Sequence, residues 1–326
     1  MDCAIIPVNI PIINHFERVK TMIRVLVTDG MDKNAMEELK NKGYQVTERH
    51  FSCEELGPAI AQYDAVVVRS STQIRSCHID QAKGSRLKLI LRGGVGIDNI
   101  DADYARANGI EVRNTPKASS RSVAELALAH IFSCCRFISA AGHTMREDKW
   151  EKKAYSHGME LMGKTVGIIG FGRIGQELGK MCRALGLEVI ACDPFPVPCL
   201  EKEMGMRYVT MEELLAQAHI ISIHAPAADG RPIIRAETIA KMKDHVVIVN
   251  TSRGNNVDEQ ALLEALDSGK VWAAGLDVYL QEPTSNHDLY SHPRVSCTPH
   301  IGAQTDEAQA KVGAELVEIL ENHLKA

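Results

Sequence analysis

The thirty residues "KTVGIIGFGRIGQELGKMCRALGLEVIACD", at 164–193, restrict the fold of this chain more than any other stretch. Gly170, Gly172 and Gly175 stand in G-x-G-x-x-G spacing. The apolar run before them reads as a strand. The residues after them read as a helix with Ile174, Leu178, Met181 and Leu185 on one face, stopped by Gly186 before a second apolar run. Strand, glycine turn, helix and strand in so few residues close as a parallel βαβ unit. Each glycine has a physical reason. Gly170 permits the tight turn, Gly172 lets backbone approach a pyrophosphate, and Gly175 allows close packing of helix on strand. The anion then meets free N–H groups and the positive end of the helix dipole. Asp193 closes the second strand, 18 residues after Gly175. A carboxylate there accepts hydrogen bonds from a ribose diol and repels a 2′-phosphate, so NAD is expected rather than NADP.

The remaining segments extend the same alternation. "IRVLVTDG" (23–30), "AVVVRSS" (65–71), "LKLILRGG" (87–94) and "IEVRNTP" (110–116) read as strands, with a helix at 33–42 ended by Gly43. A second series is expected at 165–170, 188–193, 220–225, 245–250, 272–278 and 295–299. Strands alternating with helices imply parallel sheets. With 326 residues, two cores are the expectation. Between the two series, "SVAELALAHIFSCCRFISAA" is apolar on nearly every face, which predicts burial between domains or subunits. Ser122 and Glu125 have capping-box spacing and predict its start. Residues 304–324 form an amphipathic helix carrying Val312, Leu316, Ile319, Leu320 and Leu324 on one face.

A net charge of −5 and the lack of a Lys/Arg run argue against nucleic acid. Glu125, His130 and Arg136 argue against a membrane span in the apolar helix. The nine cysteines show no metal-ligand spacing, so no metal is expected, and isolated thiols suit a reducing cytoplasm. Residues 1–21 are apolar but contain Pro7 and Pro11 and lack a small-residue cleavage site, and read as an N-terminal extension.

Ligands of open parallel sheets collect at the carboxyl ends of strands. In the second series Arg253 follows "VVIVNTS", Glu282 follows "WAAGLDVYLQ" and His300 follows "VSCTP". These residue types suit oxidation of a 2-hydroxy acid. A histidine with an ordinary pKa near ~6.5 can take the hydroxyl proton. A carboxylate on its other ring nitrogen would fix the tautomer and favour the charged ring. Glu282 and Asp277 both qualify by position. Arg253 can hold a carboxylate through two parallel donors. In the first series, the backbone N–H groups of "RGGVG" (92–96) can cradle a carboxylate.

"RGGVGIDNID", "RSVAELA", "GFGRIG", "NTSRG", "GLDVYLQEP" and "TPHIGAQT" occur in this order. Over residues 23–324 the chain resembles the NAD-dependent D-2-hydroxyacid dehydrogenases, and within them the phosphoglycerate members. The resemblance implies an α/β fold of two Rossmann/flavodoxin-like, doubly wound parallel-sheet domains with a cleft between them. Residues 22–118 and 303–326 would form a discontinuous substrate domain and 119–302 the NAD-binding domain. It implies Arg253, Glu282 (rather than Asp277) and His300 as catalytic. Cofactor contacts would fall on Gly170, Gly172, Arg173, Ile174, Gly175, Asp193, His224, Pro226, Thr251, Asp277 and Gly302. Substrate contacts would fall on Arg69, Ser70, Gly94, Val95, Gly96 and Arg253, with Arg136 a further candidate. It also implies a homodimer through the NAD-binding domain.

The implied reaction is oxidation of 3-phosphoglycerate, at the start of serine synthesis. Reduction of hydroxypyruvate, glyoxylate or another 2-keto acid is the alternative, and a NAD-sensing corepressor-like protein a third. Two departures stand out. Gln73 occupies a place where some phosphoglycerate members are cationic. The sequence ends at Ala326, with no room after the closing helix for a serine-sensing domain, so no serine feedback is expected.

Overall fold

Runs such as "AVVV" and "VVIV" have no polar face to offer water, and in a parallel sheet both faces are covered by helices. The computed structural model, which describes residues 22–226 and 230–324, places each such run in a sheet interior. The extension expected at 1–21 lies outside the described residues. Five strands, β1 (Arg24–Val27), β2 (Gln45–Glu48), β3 (Ala65–Val68), β4 (Leu89–Arg92) and β5 (Glu111–Asn114), form one parallel sheet in the order β2-β1-β3-β4-β5. Seven more form the second: β6 (Thr165–Ile169), β7 (Glu188–Cys192), β8 (Arg207–Tyr208), β9 (Ile220–Ile223), β10 (Val246–Asn250), β11 (Val271–Leu276) and β12 (Val295–Cys297). Their order is β12-β11-β10-β9-β6-β7-β8. The strand order reverses beside β1 in the first sheet and beside β6 in the second. These are the switch points where doubly wound sheets open a crevice at their carboxyl edges.

Every strand expected from an apolar run is present and shorter than expected, although β11 begins one residue early, at Val271. The two unexpected ones, β2 and β8, are edge strands of mixed or polar sequence, held by a single neighbour each. The last helix, Asp306–His323, returns to the first sheet. Its Val312, Leu316, Val317 and Leu320 are buried with Val25, Val27, Leu89 and Leu91.

The apolar helix departs from expectation at both ends. It starts at Ser120, and no capping box forms at Ser122. The Ser122 hydroxyl instead meets Thr305 Oγ1 at 2.8 Å, and Glu125 is taken by Arg121 at 2.6 Å. Phe137, at φ 55°, breaks it at Arg136, and a second segment, Ile138–Arg146, leaves at 68° with no buried residue. Among the described residues no single helix is long and apolar enough to cross a membrane.

Candidate active site

The carboxyl edges of the two sheets face each other across a cleft of about 480 Å³. Its lining includes Arg69, Ser70, Arg92, Gly94, Val95, Gly96 and Asp98 from the first sheet's loops. Ile174, His224, Pro226, Thr251, Arg253, Asp277, His300 and Gly302 come from the second. Arg173, Gly170, Gly172, Gly175 and Asp193 lie outside this lining, at the β6 and β7 ends. Arg136 and Gln73 are also absent from it; Gln73 is exposed and accepts from Arg75 at 2.9 Å.

His300 stands at φ 54°, a conformation that costs a non-glycine residue free energy and persists only where neighbours enforce it. Asp277 enforces it. Its buried carboxylate accepts from Ile301 N–H (2.8 Å), Gly302 N–H (2.9 Å) and the Thr298 hydroxyl (2.6 Å). Asp277 therefore faces the cleft while being heavily committed to the histidine loop, and it does not contact the imidazole. Glu282 does: its Oε2 lies 2.6 Å from His300 Nδ1, both side chains being about two-fifths exposed (38% and 41%). Burial works to raise the Glu282 carboxyl. The His300 hydrogen bond and charge, the Tyr279 N–H and Arg253 outweigh it, and the net shift is downward. Nδ1 is thus occupied, and His300 Nε2 has no partner among the described residues.

The "NTSRG" loop is built around Asn250, which is fully buried. Its Oδ1 accepts from Ser252 N–H and hydroxyl (3.1 and 2.8 Å), and its Nδ2 donates to Arg253 O (2.8 Å). Gly254 is required because a Cβ there would sit 1.8 Å from Tyr279 O. The Arg253 fork is partly spent: Nε donates to Asp98 (2.7 Å) across the cleft and Nη1 to Ser252 O (2.6 Å). Nη2, lying over Gly96, is left for a ligand.

On the opposite wall, Asp29 fixes the loop after β3 by accepting from Arg69 N–H (2.7 Å) and Thr72 N–H (3.0 Å), and Asn99 donates to Arg69 O and Thr72 O, both at 2.7 Å. In the glycine turn, Gly94 N–H is used on Arg92 O (2.9 Å). The N–H groups of Val95 and Gly96 remain unpaired among the described residues, so the expected cradle rests on these two. The residue that sequence reasoning missed is Arg92. Its head folds over Gly94, its Nε is buried without a partner, and burial, Arg253 and Arg69 together push its pKa down to about 10. Burial likewise lowers Arg69, with Asp29 opposing. An arginine closing the apolar run "LILR" was the available signal.

The residues present fit a dinucleotide. A Cβ at Gly170 would meet Ala225 N at 2.7 Å and one at Gly175 would meet Gly170 O at 2.4 Å, whereas Gly172 faces open space at the start of the Arg173–Ala184 helix. Asp193 accepts from Phe171 N–H (2.7 Å) and Phe195 N–H (2.8 Å), which holds its carboxylate beside that turn. His224 Nδ1 and Thr251 Oγ1, on residues of the cleft lining, are buried polar atoms with no partner. Such atoms are costly unless a ligand or water satisfies them.

Residues 128–302 match the family described as "D-isomer specific 2-hydroxyacid dehydrogenase, NAD binding domain". A hydroxypyruvate reductase of Thermotoga maritima is 48% identical over 300 residues, which cover 90% of this chain and 96% of that protein. A D-3-phosphoglycerate dehydrogenase of Archaeoglobus fulgidus is 41% identical over 93% of this chain. The chain spans only 58% of that relative's length. Among solved structures, a glyoxylate reductase from Paecilomyes thermophila superposes with a TM-score of 0.84 at 33% identity, over 94% of this chain and 96% of that one.

Proposed function

The chain belongs to the D-isomer specific 2-hydroxyacid dehydrogenases, and from that premise we propose that it oxidises 3-phosphoglycerate to 3-phosphohydroxypyruvate, the step that opens serine synthesis. In the division of labour we propose, residues 22–118 and 303–326 hold substrate and 119–302 hold NAD. Bound NAD supplies the hydride acceptor. The Gly170–Gly175 turn and helix N-terminus hold its pyrophosphate, Asp193 its ribose, and His224 and Thr251 present their unpaired atoms toward it. Pro226, Ile174 and Gly302 shape the same wall. Arg253 Nη2 with the Val95 and Gly96 N–H groups grips the substrate carboxylate. His300 Nε2 takes the hydroxyl proton, and Glu282 holds Nδ1–H so that Nε2 is the free base.

The observation that carries the substrate assignment is the convergence of Arg69, Arg92 and Arg253 on one cleft. Three guanidiniums, one with a buried unpaired donor, suit a substrate with a carboxylate and a second anionic group. The T. maritima relative supports a second reading, hydroxypyruvate reduction, in which only the carboxylate is needed. A substrate panel followed by NADH absorbance separates them. On the first reading 3-phosphoglycerate exceeds glycerate in kcat/KM by ~10²-fold or more, the worth of one or two charged hydrogen bonds. Arg92→Met then lowers kcat/KM by ~10–10² for the phosphorylated substrate alone. Preference for unphosphorylated acids, or an equal loss on both, overturns the reading.

The Glu282 contact sets a second test. Its Oε2 lies 2.6 Å from His300 Nδ1, and the His300 hydrogen bond helps hold the Glu282 carboxyl below its ordinary value. Glu282→Gln keeps an oxygen there but removes the charge, and it should lower kcat by roughly tenfold, the scale of a modest misorientation of a catalytic group, with KM for NAD little changed. Steady-state kinetics equal to the parent's would remove Glu282 from the mechanism.

We place a homodimer contact on the arm after Phe137. Ile138, Met145 and Trp150 are 57%, 53% and 80% exposed there, more apolar surface than a free helix usually shows.

A further inference from the structure

A polar chain, exposed at its far end and buried at its centre, crosses the second sheet's edge and ends on the loop that carries His300. His130, on the Ser120–Arg136 helix, is 2% exposed. Its Nε2 lies 3.0 Å from Thr298 Oγ1 and its Nδ1 3.0 Å from Ser296 Oγ. Beyond Ser296 the chain continues to Ser139 (3.2 Å) and Ser133 (2.7 Å). The ring is seated on Gly275 of β11, where a Cβ would meet His130 Cβ at 2.6 Å, so the seat exists only because that strand residue has no side chain.

The direction of every bond in this chain follows from its end. Asp277 Oδ1 already accepts the Ile301 N–H, and a carboxylate oxygen accepts from the Thr298 hydroxyl as well. Having donated its only proton, Thr298 Oγ1 must accept from His130 Nε2–H. Burial lowers the His130 pKa, with Asp277 opposing, which favours the neutral ring. Nδ1 is then an acceptor and takes the Ser296 proton, which leaves Ser296 to accept from Ser139. All donors point toward Asp277, and such chains polarise one another cooperatively.

We propose that His130, as its Nε2–H tautomer, is a positioning residue for the reaction: through Thr298 and Asp277 it fixes the 298–302 turn that holds His300 at positive φ. This role rests on the reading of His300 as acid/base, and it is not one that the catalytic motifs encode. His130 does not line the cleft; three successive hydrogen bonds, to Thr298, on to Asp277 and from there to the Ile301 N–H, connect it to the loop backbone.

Two measurements test it. The first does not depend on activity: in ¹⁵N-histidine NMR of the whole protein, the signal lost in His130→Gln should be an Nε2–H tautomer with a slowly exchanging proton. An Nδ1–H tautomer, or a proton in fast exchange, overturns the proposal. The second is kinetic. His130→Leu should lower kcat roughly tenfold, the scale of a slight misplacement of a catalytic group, with KM for NAD within about twofold. Thr298→Val should match it, and the double variant should be no worse than either, since one chain is cut twice. His130→Gln, whose amide nitrogen reaches the Nε2 position, should recover most of the rate. Multiplying losses in the double variant, or equal loss in Gln and Leu, overturns the role. Full activity in His300→Ala would instead overturn the acid/base reading, leaving the tautomer result standing.

Discussion

Replacing His300 by alanine should lower kcat for the 2-hydroxy acid by roughly 10²–10⁴-fold, the contribution of a positioned general acid–base. The cause is local. Glu282 occupies Nδ1 at 2.6 Å, which leaves Nε2 as the ring's only free proton acceptor. Water can take the hydroxyl proton in its place, but without the pre-set orientation that the Asp277-anchored turn provides. Because the proton moves only as the reaction proceeds, the loss should appear equally in kcat and kcat/KM, with KM for NAD little changed. His300→Gln sharpens the reading: the amide can hydrogen-bond substrate but cannot carry a proton, so it should be nearly as slow as alanine. The fold should survive, since the side chain is 41% exposed and buries little apolar surface. Steady-state kinetics of both variants decide the matter. Activity within a factor of two of the parent removes His300 from the chemistry.

The residues of that site were legible in the sequence to the extent that each ends a strand. An apolar run followed by a polar or glycine-containing turn announces a carboxyl edge, and parallel topology sends all such edges to one side. Arg253, Glu282 and His300 could be gathered in this way, and the choice between Glu282 and Asp277 could not. Both close the same stretch by position; the family resemblance favoured Glu282, and the structure shows why, with Asp277 taken by Thr298, Ile301 and Gly302 while Glu282 meets the imidazole. Arg92 escaped for a related reason. In sequence it is the last residue of a strand, and Arg253, which meets it across the cleft, lies more than 150 positions away. The edge strands Gln45–Glu48 and Arg207–Tyr208 carry too little apolar pattern to be read, being paired on one side only. The break at Phe137 has no proline or glycine to announce it. The Ser122–Glu125 spacing matched a cap whose partners were claimed elsewhere, by Thr305 and Arg121. His130 counted in the sequence only as a polar residue against a membrane span, since its partners come from a strand end over 160 residues later.

Arg253→Ala should be the second most damaging change, lowering kcat/KM for the hydroxy acid by roughly 10²–10³-fold. The loss corresponds to about 3–4 kcal/mol of charge-assisted hydrogen bonding to the substrate carboxylate. The geometry makes the side chain difficult to replace. Nε is held by Asp98 from the opposite wall at 2.7 Å and Nη1 by Ser252 O at 2.6 Å, so the head is aimed before substrate arrives. Pre-orientation of this kind means little ordering entropy is lost on binding. Lysine cannot reproduce it: one ammonium on a flexible stem cannot satisfy Asp98, Ser252 O and a carboxylate in the same plane. Arg253→Lys should therefore recover less than a tenth of the lost kcat/KM, whereas a site that needed only positive charge would recover nearly all. The damage should fall on substrate and not on cofactor, because neither Gly172 nor Asp193 depends on Arg253. KM for the hydroxy acid should rise with kcat falling beside it, while NAD affinity measured by calorimetry stays within about twofold. An alanine variant that keeps its kcat/KM within threefold, or one that loses NAD and substrate together, would mean that Arg253 only clamps Asp98 across the cleft.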